Sequence, residues 1–79
     1  MTVHIKLFAS AREKARADSV ALTVPSPVTL YRLRRLMDET VPALRGAPGR
    51  WAVNLRFAED DYVVQSGDEL AWIPPVCGG

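Results

Sequence analysis

Val3, Ile5 and Leu7 alternate with His4, Lys6 and Phe8, the period-two pattern of a strand with one buried face. With the first set turned inward, Phe8 falls on the outer face beside His4 and Lys6, an unusual place for a large ring. The stretch Ala9 to Ala17, rich in Ala, Arg, Glu and Lys, predicts a short helix or helical loop. Val20, Leu22 and Val24 alternate again until Pro25-Ser26-Pro27 stops them, so the first two strands can pair antiparallel as a wide hairpin. Thr29 reads as a helix N-cap, because its hydroxyl can take up a free backbone N–H of the first turn. Val28 and Leu33 have the spacing of a hydrophobic staple, and Leu30, Leu33, Leu36 and Met37 form one apolar stripe. Pro42 ends this helix, and Ala43 to Arg50 reads as a loop with room for one helical turn. Trp51, Val53 and Leu55 alternate with Ala52, Asn54 and Arg56, predicting a further strand, and Tyr62-Val63-Val64 is a short strand-like run. After the turn signal Ser66-Gly67-Asp68, Leu70 and Trp72 alternate with Ala71 and Ile73 until Pro74-Pro75 stops the ladder.

The predicted order is strand, strand, helix, then two or three strands. That is an α+β arrangement, a mixed sheet of four to five strands packed on one main helix, and at this size a β-grasp, ubiquitin-like fold. In such a fold the first and last strands lie parallel at the sheet centre, which suits the apolar character of both. Residues 1–73 form the domain and residues 74–79 an extended tail. The 79 residues leave no room for a second core or a large internal cavity. A formal charge of +1 offers no electrostatic argument for nucleic acid or an anionic membrane. One Cys cannot close an internal disulfide, and one Cys with one His falls short of a structural metal site. No apolar run approaches the roughly 20 residues that cross a bilayer. The start Met1-Thr2-Val3-His4 lacks the marks of a secretory signal, so the expected location is the cytoplasm.

The chemistry is expected at the other end. Pro74 and Pro75 favour an extended path away from the sheet, and Val76-Cys77-Gly78-Gly79 can reach roughly 13 Å beyond them. Two terminal glycines can pass a tunnel too narrow for a Cβ and present a carboxylate at the tip. That carboxylate is inert as an anion. Adenylated by a partner enzyme with ATP, Gly79 becomes a mixed anhydride: sulfur then gives a thiocarboxylate, and an amine gives an isopeptide. Such a carrier needs no catalytic side chains of its own.

Phe8-Ala9 with Arg12-Glu13, Ala52-Val53-Asn54, Ser66-Gly67-Asp68-Glu69 and the tail Pro74-Pro75-Val76-x-Gly78-Gly79 together resemble the MoaD/ThiS family of ubiquitin-like sulfur carriers. The resemblance runs the whole length and is densest at the ends. The paired prolines favour its molybdopterin branch over the thiamine branch. The resemblance implies a non-catalytic carrier subunit of molybdopterin synthase, active only with the large subunit, in a heterotetramer. An E1-like adenylyltransferase would activate Gly79, and a sulfurtransferase would convert it to a covalent 1-thioglycine. The carrier itself binds no cofactor. The thiocarboxylate would give its sulfur to cyclic pyranopterin monophosphate, two transfers building the dithiolene. The resemblance also assigns Phe8, Phe57 and Ile73 to the partner surface.

Cys77 stands where the family usually has a small or hydroxylated residue. It is either a compact substitute or a thiol able to intercept the activated acyl group, and unchanged sulfur transfer in Cys77→Ser would dispose of the second role. His4 reads as a surface histidine. Arg34 and Arg35 pair with Asp38 and Glu39 on a solvated helix face, and Glu59-Asp60-Asp61 forms a solvated turn. Trp51 and Trp72 read as core or interface aromatics. Three rivals stay open: a sulfur donor for thiamine, cysteine or tRNA thiolation, a ubiquitin-like protein modifier, and an interaction domain with an inert tail.

Overall fold

The computed structural model describes residues 1–75. The elements run β1 (Thr2–Leu7), α1 (Ala9–Ala15), β2 (Ser19–Thr23), α2 (Leu30–Thr40), a 3-10 turn (Pro42–Leu44), β3 (Arg50–Val53), β4 (Arg56–Ala58) and β5 (Leu70–Ile73). The sheet order is β2-β1-β5-β3-β4, with β1 and β5 parallel and the other pairs antiparallel. This is the mixed five-stranded sheet of a β-grasp fold, and β5 is its central strand.

One face of the sheet is closed by α2. Leu30, Leu33 and Met37 of its stripe are fully buried, together with Ile5 of β1, Leu44 of the 3-10 turn and Leu70 of β5. Leu36 packs only partly against this cluster. The helix begins where its backbone donors find acceptors. Arg32 N–H donates to Thr29 Oγ1 (3.2 Å), while Leu30 and Tyr31 N–H donate to the carbonyls of Tyr62 and Asp60, both at 3.0 Å. It ends at Thr40 with Val41 as its C-cap, and Pro42 follows as the expected stop.

Two expectations give way in the last third. Leu55 does not continue the alternation of Trp51 and Val53: it is 91% exposed, at the tip of a two-residue hairpin that joins β3 to β4. Asn54 and Leu55 both have positive φ, 51° and 69°, the arrangement of a type I′ turn, whose backbone twist matches the flanking strands. The run Tyr62-Val63-Val64 forms no named strand. Val63 bridges Thr29, and the segment serves the start of α2 instead. A leucine with φ of 69° is strained, since its Cβ crowds the following carbonyl. Leu55→Gly is therefore expected to stabilise the fold by about 0.5–1 kcal/mol, after the extra freedom of glycine in the unfolded chain is subtracted. A urea midpoint shifted upward at constant slope would register it.

Candidate functional site

The outer face of the sheet, away from α2, places one row of residues across four strands. Lys6 pairs with Ala71, Ala71 with Ala52, and Ala52 with Phe57. The next row pairs Ile73 with Arg50. The two alanines make a low floor between larger side chains. The result is a cleft of about 240 Å³ whose apolar walls are Phe8, Leu55, Phe57 and Ile73, with Lys6 and Glu69 also lining it. Of the five exposed large apolar residues among the described ones, Phe8, Leu55 and Phe57 all lie here. Phe8 reaches it from the corner between β1 and α1, where its carbonyl accepts from Ala11 N–H. An apolar cluster of this kind on a small domain marks an interaction face.

Beside the cleft stands the root of the tail. Pro74 is buried and Pro75 exposed, and both share a second recess with Gly49, Arg50, Phe57 and Ile73. The Arg50 guanidinium lies 3.9 Å from the centre of the Phe57 ring, a cation–π contact that braces the ring. Phe8, Phe57 and Ile73 are thus brought together, next to Pro74 and Pro75. Val76, Cys77, Gly78 and Gly79 lie outside the described residues.

The hairpin that carries Leu55 and Phe57 is tied down at Asp68. Its Oδ1 accepts from the Asn54 side-chain amide (2.9 Å), and its Oδ2 from Gln65 N–H (2.7 Å) and the Tyr62 hydroxyl (2.8 Å). Asn54 Oδ1 in turn accepts from Glu69 N–H. Burial pushes the Asp68 carboxyl upward, but the donors from Gln65, Asn54 and Tyr62 outweigh it and hold the group below the ordinary aspartate range. Its hydrogen bond to Asp68 shifts Tyr62 the other way, upward. The unfolded chain therefore takes up the Asp68 proton first on acidification. The stability this carboxylate contributes is complete above its unfolded value and is lost as pH falls through its folded value. Asp68→Asn is expected to flatten the acid side of the stability profile below about pH 5, as measured by denaturant unfolding at each pH.

Residues 5–79 match the ThiS family, and the molybdopterin synthase sulfur carrier subunit of Arabidopsis thaliana is 35% identical over 82 residues, covering 98% of this chain and 82% of that protein. The chain belongs to the ThiS family. A second relative, the molybdopterin synthase sulfur carrier subunit of Escherichia coli (strain K12), is 32% identical over 98% of this chain and 99% of its own. The crystal structure of the small archaeal modifier protein SAMP1 from Haloferax volcanii superposes with a TM-score of 0.89 at 28% identity, covering 100% of both chains. The ThiS match extends through Gly78 and Gly79, so the family includes the tail as well as the sheet.

The place of three residues in this site was not legible in the sequence. Leu55 was expected in a strand, because a two-residue turn without glycine gives little signal. The floor residues Ala52 and Ala71 are expected in strands, Ala52 also within the Ala52-Val53-Asn54 motif, but neither is expected to form a cleft floor. Their signal is two small residues on the outer face of neighbouring strands. Arg34, expected on a solvated face, keeps its ion pair with Asp38 (2.8 Å) but is only 19% exposed in its side chain. Arg35 is exposed and lies 3.5 Å from the Tyr31 hydroxyl rather than pairing with Glu39. Among the described residues no helix is long and apolar enough to cross a membrane.

Proposed function

We propose that this chain is the sulfur-carrier subunit of a molybdopterin synthase, with the Gly79 carboxyl as its working group. The observation that carries the reading is the position of the Pro74–Pro75 stem. It leaves the central strand directly beside the apolar cleft, in a chain whose curated relatives are named as such carriers. A partner large subunit would cover Phe8, Phe57 and Ile73 and receive the tail. Pro74, Pro75, Val76 and Cys77 would span the distance to its active site, and Gly78 would give clearance.

The chemistry balances without a cofactor on this chain. An E1-like adenylyltransferase joins the Gly79 carboxylate to AMP from ATP and releases pyrophosphate. A sulfurtransferase then supplies sulfur at the oxidation level of sulfide, which displaces AMP and leaves a thiocarboxylate. Attack of that sulfur on cyclic pyranopterin monophosphate would make a C–S bond in place of a C–O bond of the pterin side chain. The displaced oxygen would leave with the opened cyclic phosphate at one carbon and as water at the other. Hydrolysis of the resulting acyl link by water returns the carboxylate. Two such cycles complete the dithiolene.

A second reading is favoured by the likeness to SAMP1: a protein modifier whose activated Gly79 is taken by a lysine amine. Both readings use the same tail and activation, and they part at the nucleophile. Expressed in cells lacking the endogenous carrier, this chain should restore molybdoenzyme activity without forming covalent adducts. Restored thiamine-independent growth alone would move the assignment to the thiamine branch, and Gly79-dependent adducts alone would move it to the modifier.

A further inference from the structure

Trp72 lies on the core side of β5, two residues before Pro74, and is 5% exposed. Three neighbours hold its indole. The Trp51 ring meets it edge-on at 5.1 Å and 74°. The Arg34 guanidinium lies 4.2 Å from its ring centre. Gly49 approaches so closely that an added Cβ would stand 2.6 Å from Trp72 Cε2. The indole Nε1–H is buried and has no acceptor among the described residues. An unpaired buried donor favours any movement that finds it a partner, so packing and the stacked cation must keep this ring in place.

Arg34 does more than stack. Its Nη2 donates to the carbonyls of Leu44 and Ala47, both at 2.9 Å, while Nε is paired with Asp38. It therefore fixes the segment that runs through Pro48 and Gly49 into β3. The β3–β5 register pairs Arg50 with Ile73, and its continuation sets Gly49 opposite Pro74. Pro74 and Pro75 have no N–H to donate, so the stem cannot be held there by a complete ladder. The recess shared by Gly49, Arg50, Ile73, Pro74 and Pro75 shows the two segments side by side.

We propose that Arg34 and Gly49 form a clamp on Trp72 that sets the direction in which the tail leaves the sheet. Arg34 is a positioning residue for the chemistry at Gly79. It acts through Trp72 and the Leu44–Gly49 segment and, among the described residues, lines neither the apolar cleft nor the recess at the tail root. The inference rests on the sulfur-carrier reading for its kinetic consequence, but the direction of the stem can be read without it.

The experiment uses the full chain as wild type, Arg34→Met, Arg34→Lys and Gly49→Ala, each checked for folding. The first readout is the residual dipolar couplings of the Cα–H bonds of Pro74 and Pro75, with those of Leu70 as the internal reference. In Arg34→Met and Gly49→Ala the proline couplings should change or collapse while those of Leu70 persist, and Arg34→Lys should restore them in part. The second readout starts from carriers given a Gly79 thiocarboxylate by chemical synthesis and bound to the large subunit. The bound-state rate of sulfur transfer should fall about 10- to 100-fold, as for a displaced reactant, with the partner Kd unchanged. A purely structural role would lower the unfolding midpoint without this split. Unaltered Pro74 and Pro75 couplings in both variants would overturn the clamp, as would an unchanged bound-state rate. Failure of the wild-type thiocarboxylate to transfer sulfur would overturn the carrier reading instead, and the couplings would then decide the clamp alone.

Discussion

A chain lacking only Gly79 is expected to lose sulfur loading completely, while its fold and unfolding midpoint stay those of the intact protein. The two halves of this expectation have separate causes. The buried cluster of described residues runs from Val3 to Trp72, and the deletion leaves every one of them in place. Stability should change by less than about 0.5 kcal/mol, as for a surface change away from structural features. Activation, by contrast, requires the carboxylate to reach the adenylating site. Shortening the tail by one residue withdraws it by about 3.5 Å, well beyond the tolerance of an aligned nucleophilic attack. The reactive carboxyl would also move onto Gly78. Intact mass after incubation with the loading system, alongside thermal unfolding of the same sample, checks both halves. Residual loading near the intact level would mean that the terminal residue does not carry the chemistry.

The second large effect is expected at Phe57. Its ring is 55% exposed, on the edge strand β4, and it lines both the apolar cleft and the recess at the tail root. Covered by a partner, it has the features of a central aromatic anchor, and truncation of such anchors costs about 2 kcal/mol or more. Phe57→Ala should therefore weaken large-subunit binding by about 30-fold or more. Loss of the cation–π contact with Arg50 should cost the free domain no more than about 1 kcal/mol. Titration calorimetry with the large subunit would give the first number and denaturant unfolding the second. Thr23→Ala, on the edge strand β2 at the opposite side of the sheet, should leave binding unchanged. Equal loss in both variants would place the docking surface elsewhere.

The sequence was most informative where one physical requirement dominates. β1, β2 and β5 each bury one face, and their period-two patterns match the buried positions residue by residue. In α2 the stripe and the Thr29 cap act together, so both its position and its start were legible. The hairpin was less so. Its turn type normally announces itself by glycine at the second position, and here Leu55 occupies that place with φ of 69°. Apolar character then imitated another inward strand position. The Tyr62–Val64 run was misleading for a related reason: periodicity in three residues cannot separate a strand from an irregular segment that caps a helix. At the site, the odd ring at Phe8 and the paired prolines pointed to the face that carries the apolar cleft. The grouping of Phe8 with Phe57 and Leu55 depends on strand order, which no local pattern carries. Arg34 was hidden most deeply, since its partners Leu44, Ala47 and Trp72 are brought to it only by the folded chain.

Sulfur carriage by this chain requires that Gly79 itself receive sulfur. Purified chain incubated with ATP, a sulfur source and the cognate activating enzymes should gain the mass of one oxygen-for-sulfur exchange, confined to the C-terminal peptide. An unmodified mass, in a reaction that loads a known sulfur carrier, would contradict it.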